Sequence, residues 1–219
     1  MIKLAIFDCD GTLVDSQANI CMAMEHAFES VGRVPPMRHE IRRVVGLSLV
    51  ESMRMLLPDA ENDYHHDMAE RYRNAFLALR NNGLVDEPLY DGMASLLSEM
   101  DEGGWRLGVA TGKSDRGLIR CLDHHAIKDL FVTLQTADRH PSKPHPSMVY
   151  QALADAGATA RDAVVIGDTV YDIHMGRAAG TRTVGVNWGY HRVEELREAG
   201  ADFIAESMDE LKAYLKDFA

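Results

Sequence analysis

Five short apolar runs, each followed by a cluster of polar residues, constrain this chain more than any other feature of its 219 residues. They lie at 4–7 (LAIF), 106–110 (RLGVA), 130–134 (LFVTL), 163–166 (AVVI) and 183–186 (TVGV). Runs this short, with little polar alternation, predict strands covered on both faces, the condition of a parallel sheet. The segments between the later runs change period. Met93, Leu96, Leu97 and Met100 fall on one helical face, as do Met148, Val149, Ala152 and Leu153, with Gly157 as a stop. Strand and helix alternate in this way from residue 91 onward. That order predicts right-handed βαβ units building one open parallel sheet with helices on both faces.

The stretch after the first run breaks the alternation. Residues 16–86 hold almost nothing strand-like. Ile20, Met24, Ala27, Phe28 and Val31 make one helical stripe, 48–57 a second and 64–79 a third, punctuated by Pro35, Pro36 and Pro58. The expected fold class is therefore α/β: a Rossmann-like open parallel sheet core, residues 1–15 and 87–219, with a small α-helical domain of residues 16–86 inserted into it. The chain would cross between the two at Asp15-Ser16 and at 86–88.

Charge narrows the partners. The formal net charge of −11 argues against nucleic acid, whose phosphates call for a basic footprint. No uninterrupted apolar run approaches the roughly 18 residues that span a bilayer. The first residues lead straight into an apolar strand without the pattern of a signal peptide, so a cytoplasmic protein is expected. Cys9, Cys21 and Cys121 form no metal-ligand spacing and read as reduced, buried small hydrophobes.

In an open α/β sheet, ligands bind beyond the carboxyl ends of the strands. Asp8, Asp10, Gly11 and Thr12 follow the first run, and Thr111-Gly112-Lys113 the second. Ser142-Lys143-Pro144 lies in the loop after the third, and Asp168 with Asp172 follows the fourth. Two like charges about 4 Å apart repel by roughly 4 kcal/mol at an effective dielectric of 20. Asp8, Asp10, Asp168 and Asp172 would thus need a cation to sit together, and all-oxygen ligands favour a hard ion such as Mg²⁺ shared with a phosphate. A carboxylate can accept a phosphoryl group as an aspartyl-phosphate that water then hydrolyses. Asp8 is the expected nucleophile and Asp10, on the same side of an extended chain, the acid and base. Thr111 and Lys143 would neutralise the phosphoryl oxygens, with the amides of Gly11 and Gly112 as further donors.

Here the chain resembles a family. DCDGTLVDS at 8–16, ATGKS at 110–114, SKPHP at 142–146 and GDTVYD at 167–172 resemble the four ordered motifs of the haloacid dehalogenase-like hydrolases. The resemblance covers the whole chain, because the insert after the first motif is similar to that superfamily's first type of cap domain. It is closest to the phosphoglycolate phosphatase-like branch. It implies that Asp8 is the nucleophile and that Asp10 is the acid/base that also lends its backbone carbonyl to Mg²⁺. It further implies that Thr111 and Lys143 bind phosphate, that Asp168 is a direct metal ligand, and that Asp172 is a more distant ligand or an orienter of metal-bound water. A small phosphorylated metabolite is the expected partner, with 2-phosphoglycolate first, and the protein would act as a monomer or homodimer.

Other residues carry weaker expectations. The segment 42–48 (RRVVGLS) resembles the cap loop that reaches the substrate in related phosphatases, so Arg42 or Arg43, with Gly46, would meet it there. Asp15 and Ser16 read as a helix cap, Cys9 as core, and His65, His66, His124 and His125 as surface positions. Lys113 is either a phosphate contact or a solvated helix start, and Trp188 and Tyr190 either line the rim or pack in the core. A phosphonoacetaldehyde hydrolase is closed off because no lysine lies between Lys3 and Lys113. The same gap disfavours a β-phosphoglucomutase-like phosphomutase. A non-catalytic scaffold for a phospho-ligand or protein partner is the remaining alternative, although none of the nucleophile or metal carboxylates is missing.

Overall fold

The computed structural model describes residues 2–218. The five apolar runs are strands: β1 (Leu4–Phe7), β2 (Arg106–Thr111), β3 (Phe131–Thr136), β4 (Ala163–Gly167) and β5 (Arg182–Val186). A sixth, β6 (Phe203–Ala205), was not anticipated, because three residues at a sheet edge are too few to show a period. All pairings are parallel and the order is β3-β2-β1-β4-β5-β6. This is the α/β, Rossmann-like architecture expected, and its strand order reverses between β1 and β4.

β3 begins one residue later and runs two residues longer than its apolar run. Leu130 closes a short 3₁₀ turn, while Gln135 and Thr136 extend the strand. A buried Gln is tolerable there because its amide nitrogen donates to Thr133 Oγ1 at 2.7 Å and to Asp155 Oδ2 at 2.8 Å.

Helices cover both faces. Ala5, Phe7, Val109, Val164 and Ile166 point toward α5 (Met93–Glu102), α6 (Asp115–His124) and α10 (Met208–Lys216). Leu4, Ile6 and Val165 point the other way, toward α7 (Ser147–Ala156) and α8 (Val170–Ala179). Neighbouring residues of one strand thus enter different cores, the period of two that a pleated strand imposes. Each of the larger side chains among them contributes about 1.5–3 kcal/mol by leaving water. Gly157 ends α7 in the left-handed conformation at φ 63°, as its position suggested.

The insert is helical throughout: α1 (Gln17–Glu29), α2 (Arg38–Arg43), α3 (Leu49–Leu56) and α4 (Asn62–Asn81). Its apolar faces make their own cluster, in which Ile20, Met24 and Phe28 meet Ile41, Met53, Met68 and Tyr72. His65 belongs to this interior rather than to the surface, with its Nε2 2.9 Å from the Leu57 carbonyl. α9 (Val193–Glu198) completes the helices of the sheet region. Among the described residues, no helix is long and apolar enough to cross a membrane.

Candidate active site

β1 and β4 are neighbours at the point where the strand order reverses, so the residues that leave them share one crevice. Asp8 follows β1 and Asp168 follows β4. Asp172 lies in the first turn of α8, where its Oδ2 accepts the Thr169 amide at 3.1 Å and the Thr169 hydroxyl at 2.7 Å. One oxygen from each of Asp8, Asp168 and Asp172 falls within 4.8 Å of the others. Lys143 reaches in from the loop before α7, its Nζ 2.9 Å from Asp8 Oδ1 and 2.6 Å from Asp172 Oδ1. Thr111, the last residue of β2, is buried beside them.

One ammonium against three buried carboxylates leaves the cluster anionic. Burial, opposed by Lys143 and reinforced by Asp172, pushes the Asp8 carboxyl up to about 7. Burial, followed by Asp8 and Asp172, raises Asp168 well above the usual carboxylate range. Asp8 Oδ2 is buried with no hydrogen-bond partner. An orphaned carboxylate oxygen among all-oxygen donors, in a cluster one cation short, fits a hard divalent ion. Asp168 is held ready for it, since Thr12 donates its hydroxyl to Oδ1 at 2.9 Å and the Tyr190 amide donates to Oδ2 at 2.9 Å.

The Asp10 carboxylate stands outside this trio, which corrects the expectation that four carboxylates would gather. Its Oδ1 accepts from Ser16 Oγ and, at 2.7 Å, from Lys113 Nζ. Lys113 is therefore not a solvated helix start, because Asp10 and Glu87 hold its ammonium. Burial pulls its ammonium down, but Asp10 and Glu87 outweigh that and hold it well above its ordinary value. Ser16 occupies the N-cap position of α1, yet its hydroxyl turns to Asp10 instead of capping, and Asp15 Oδ1 takes the Gln17 amide at 3.2 Å. Tyr190 Oη lies 3.1 Å from Ser16 Oγ. Nothing in the sequence marked Glu87, because its role arises only where the chain returns from the insert.

One backbone expectation also changes. The Gly11 amide donates to the Val14 carbonyl at 2.9 Å and is spent inside the turn. Gly11 is needed for a different reason: at φ +83° a Cβ there would come within 2.3 Å of Asp168 Oδ2. Gly112 lies close against the insert, since a Cβ there would stand 2.4 Å from the Leu47 carbonyl oxygen.

A cavity of about 470 Å³ opens between insert and sheet, with Asp8, Asp10, Thr111, Gly112 and Gly46 on its walls. Arg42 and Arg43 are not among its lining residues. Ile41 fills the interior of the insert, which turns Arg42 to Gln17 Oε1 at 3.2 Å and pairs Arg43 with Glu195 of α9. Trp188 packs partly against the sheet core and Tyr190 against the helical cluster.

The comparisons agree with this arrangement. The model of the haloacid dehalogenase-like hydrolase family matches residues 5–186. Pyrophosphatase PpaX of Bacillus pumilus is 31% identical over 97% of this chain and 95% of its own. Phosphoglycolate phosphatase of Nitrosococcus oceani is 29% identical over 99% of this chain and 98% of its own. The crystal structure of a predicted phosphatase from Clostridium acetobutylicum superposes with a TM-score of 0.89 at 26% identity, covering 99% of both chains. With its motifs meeting in one crevice, the chain belongs to the haloacid dehalogenase-like hydrolases. Within that family it is a phosphatase, a phosphoric monoester hydrolase.

Proposed function

We propose that the protein is a Mg²⁺-dependent phosphatase that hydrolyses a small phosphorylated metabolite through an aspartyl-phosphate on Asp8. The observation that carries this reading is the orphaned Asp8 Oδ2, buried at the strand-reversal point with Asp168, Asp172 and Lys143 around it. Asp8, Asp168 and the Asp10 carbonyl would hold the ion, with Asp172 behind them. When bound, Mg²⁺ would offset the carboxylate charge and polarise a phosphoryl oxygen.

The chain's own residues supply the rest. A carboxylate oxygen of Asp8 attacks phosphorus and the bond to the leaving oxygen breaks, while Asp10 gives that oxygen its proton. Water then attacks the same phosphorus, Asp10 takes a proton from it, and Asp8 returns as carboxylate with inorganic phosphate released. Lys143 and Thr111 stabilise the charge on the transferring group. Lys113 and Ser16 hold one oxygen of Asp10, which fixes how the other is aimed.

Residues 16–86 act as a cap that selects the leaving group, and the core comprises 1–15 and 87–219. A metabolite like 2-phosphoglycolate and a cytoplasmic site of action belong to the same reading, supported by the relatives' names and the buried free cysteines. Turnover of p-nitrophenyl phosphate with and without Mg²⁺ tests it. Activity that EDTA abolishes and Asp8→Asn eliminates is expected, and wild-type turnover in Asp8→Asn would refute the covalent route.

A further inference from the structure

The cavity wall is of two kinds. Toward the insert it is apolar and aromatic, with Ile20, Met24, Ile41, Tyr72 and Phe76. At about 470 Å³ it falls in the range of pockets that enclose drug-sized ligands, far more room than a phosphoryl group needs. The same wall also carries four arginines, although the whole chain has a net charge of −11. Arg73 pairs there with Glu70, and Arg80 with Glu87. Arg116 and Arg120 are different: both are exposed on the cavity wall, and among the described residues neither has an acidic partner.

Local structure does not account for that pair. The two arginines stand four residues apart on α6, so they share one face, where like charges are unfavourable. Arg116 also sits in the first turn, where the helix dipole opposes a cation. The nearby acids are engaged elsewhere, Asp138 with the Asp115 amide at 2.9 Å and Glu70 with Arg73. Two cations in an unfavourable place, on the wall of the cavity that holds the nucleophile, call for an anion from outside the chain.

We infer that Arg116 and Arg120 form a subsite for a second anionic group of the substrate, carried on the leaving group at the end away from the reacting phosphorus. This rests on the phosphatase reading of Asp8 and gives that reading a substrate class: a phosphate monoester whose leaving group has an apolar middle against Tyr72 and Phe76 and a distal carboxylate or phosphate. The guanidinium pair adds its attraction as the anion approaches, so the effect weakens with salt.

The experiment compares phosphate esters of ω-hydroxyalkanoic acids, two to eight carbons long, with alkyl phosphates of equal length. At one or two lengths the terminal carboxylate raises kcat/KM about tenfold or more, mainly through KM, the size of effect expected of a charged hydrogen-bonded contact. In Arg116→Gln/Arg120→Gln that ratio falls to within about twofold of unity, and in Arg116→Lys/Arg120→Lys part of it returns. A ratio near unity at every length in the wild-type enzyme overturns the inference without any variant, and so does a gain that survives the double Gln substitution. Turnover of p-nitrophenyl phosphate is the separate control. If that too is absent, the phosphatase reading fails and takes the subsite with it.

Discussion

Lys113 Nζ lies 2.7 Å from Asp10 Oδ1 and 2.8 Å from Glu87 Oε1, so one buried ammonium joins the acid/base of the first motif to the segment returning from the helical insert. Glu87 Oε2 takes Arg80 of α4 at 2.6 Å, which extends the chain of charges into the insert itself. Any movement of the insert therefore pulls on the group that holds Asp10. Removing the ammonium leaves the buried Asp10 without a counter-ion and Glu87 with Arg80 alone, a change that costs about 3–5 kcal/mol. Lys113→Met should lose that much stability in urea and most of kcat. Adding Glu87→Gln should recover part of the stability without recovering kcat.

Asp8→Asn tests the nucleophile. The substitution keeps the shape and removes the attacking oxygen's charge, so kcat should drop by roughly 10³-fold or more, with the melting temperature measured alongside to exclude unfolding.

The three-carboxylate cluster predicts a metal-linked gain in stability. A ligand at a hundredfold its Kd stabilises by about 2.7 kcal/mol. Mg²⁺ should raise the melting temperature of EDTA-treated protein, and Asp168→Asn should abolish that shift. A melting curve insensitive to Mg²⁺ in the wild type would contradict the role assigned to Asp8, Asp168 and Asp172.

Gly112→Ala should act on substrate binding through the insert. Its Cβ would meet the Leu47 carbonyl oxygen at 2.4 Å and the Gly46 carbonyl oxygen at 2.8 Å, so the loop must retreat. KM should rise several-fold with a smaller change in kcat. Arg42→Ala, whose side chain faces Gln17, should leave both within about twofold.

The contact between Arg43 and Glu195 predicts an acid dependence. Hydrogen bonding to Arg43, opposed by slight burial, lowers Glu195 from 4.5 to about 2. A depressed carboxyl binds fewer protons folded than unfolded, so its stabilisation is complete above the unfolded value and disappears as pH falls through the folded one. The stability difference between wild type and Glu195→Gln should be constant above pH 4.5 and shrink steadily toward pH 2, followed by urea titration across that range.

Much of this protein is decided locally. Leu4–Phe7 is apolar on both faces, as a strand in the middle of a sheet must be, and the stripes at Met93 and Met148 are those of helices laid on one. Asp8, Asp168, Asp172, Thr111 and Lys143 follow from the same order, because chemistry placed after parallel strands is gathered beyond their carboxyl ends by the sheet. What the tertiary structure alone decided is where long side chains turn once they arrive. Arg42 points away from the cavity because Ile41 claims the interior of the insert, and Lys113 serves Asp10 because Glu87 comes back beside it. Such choices depend on which charge lies within a few ångströms across the fold, and Coulomb attraction in a buried site carries no record of separation along the sequence.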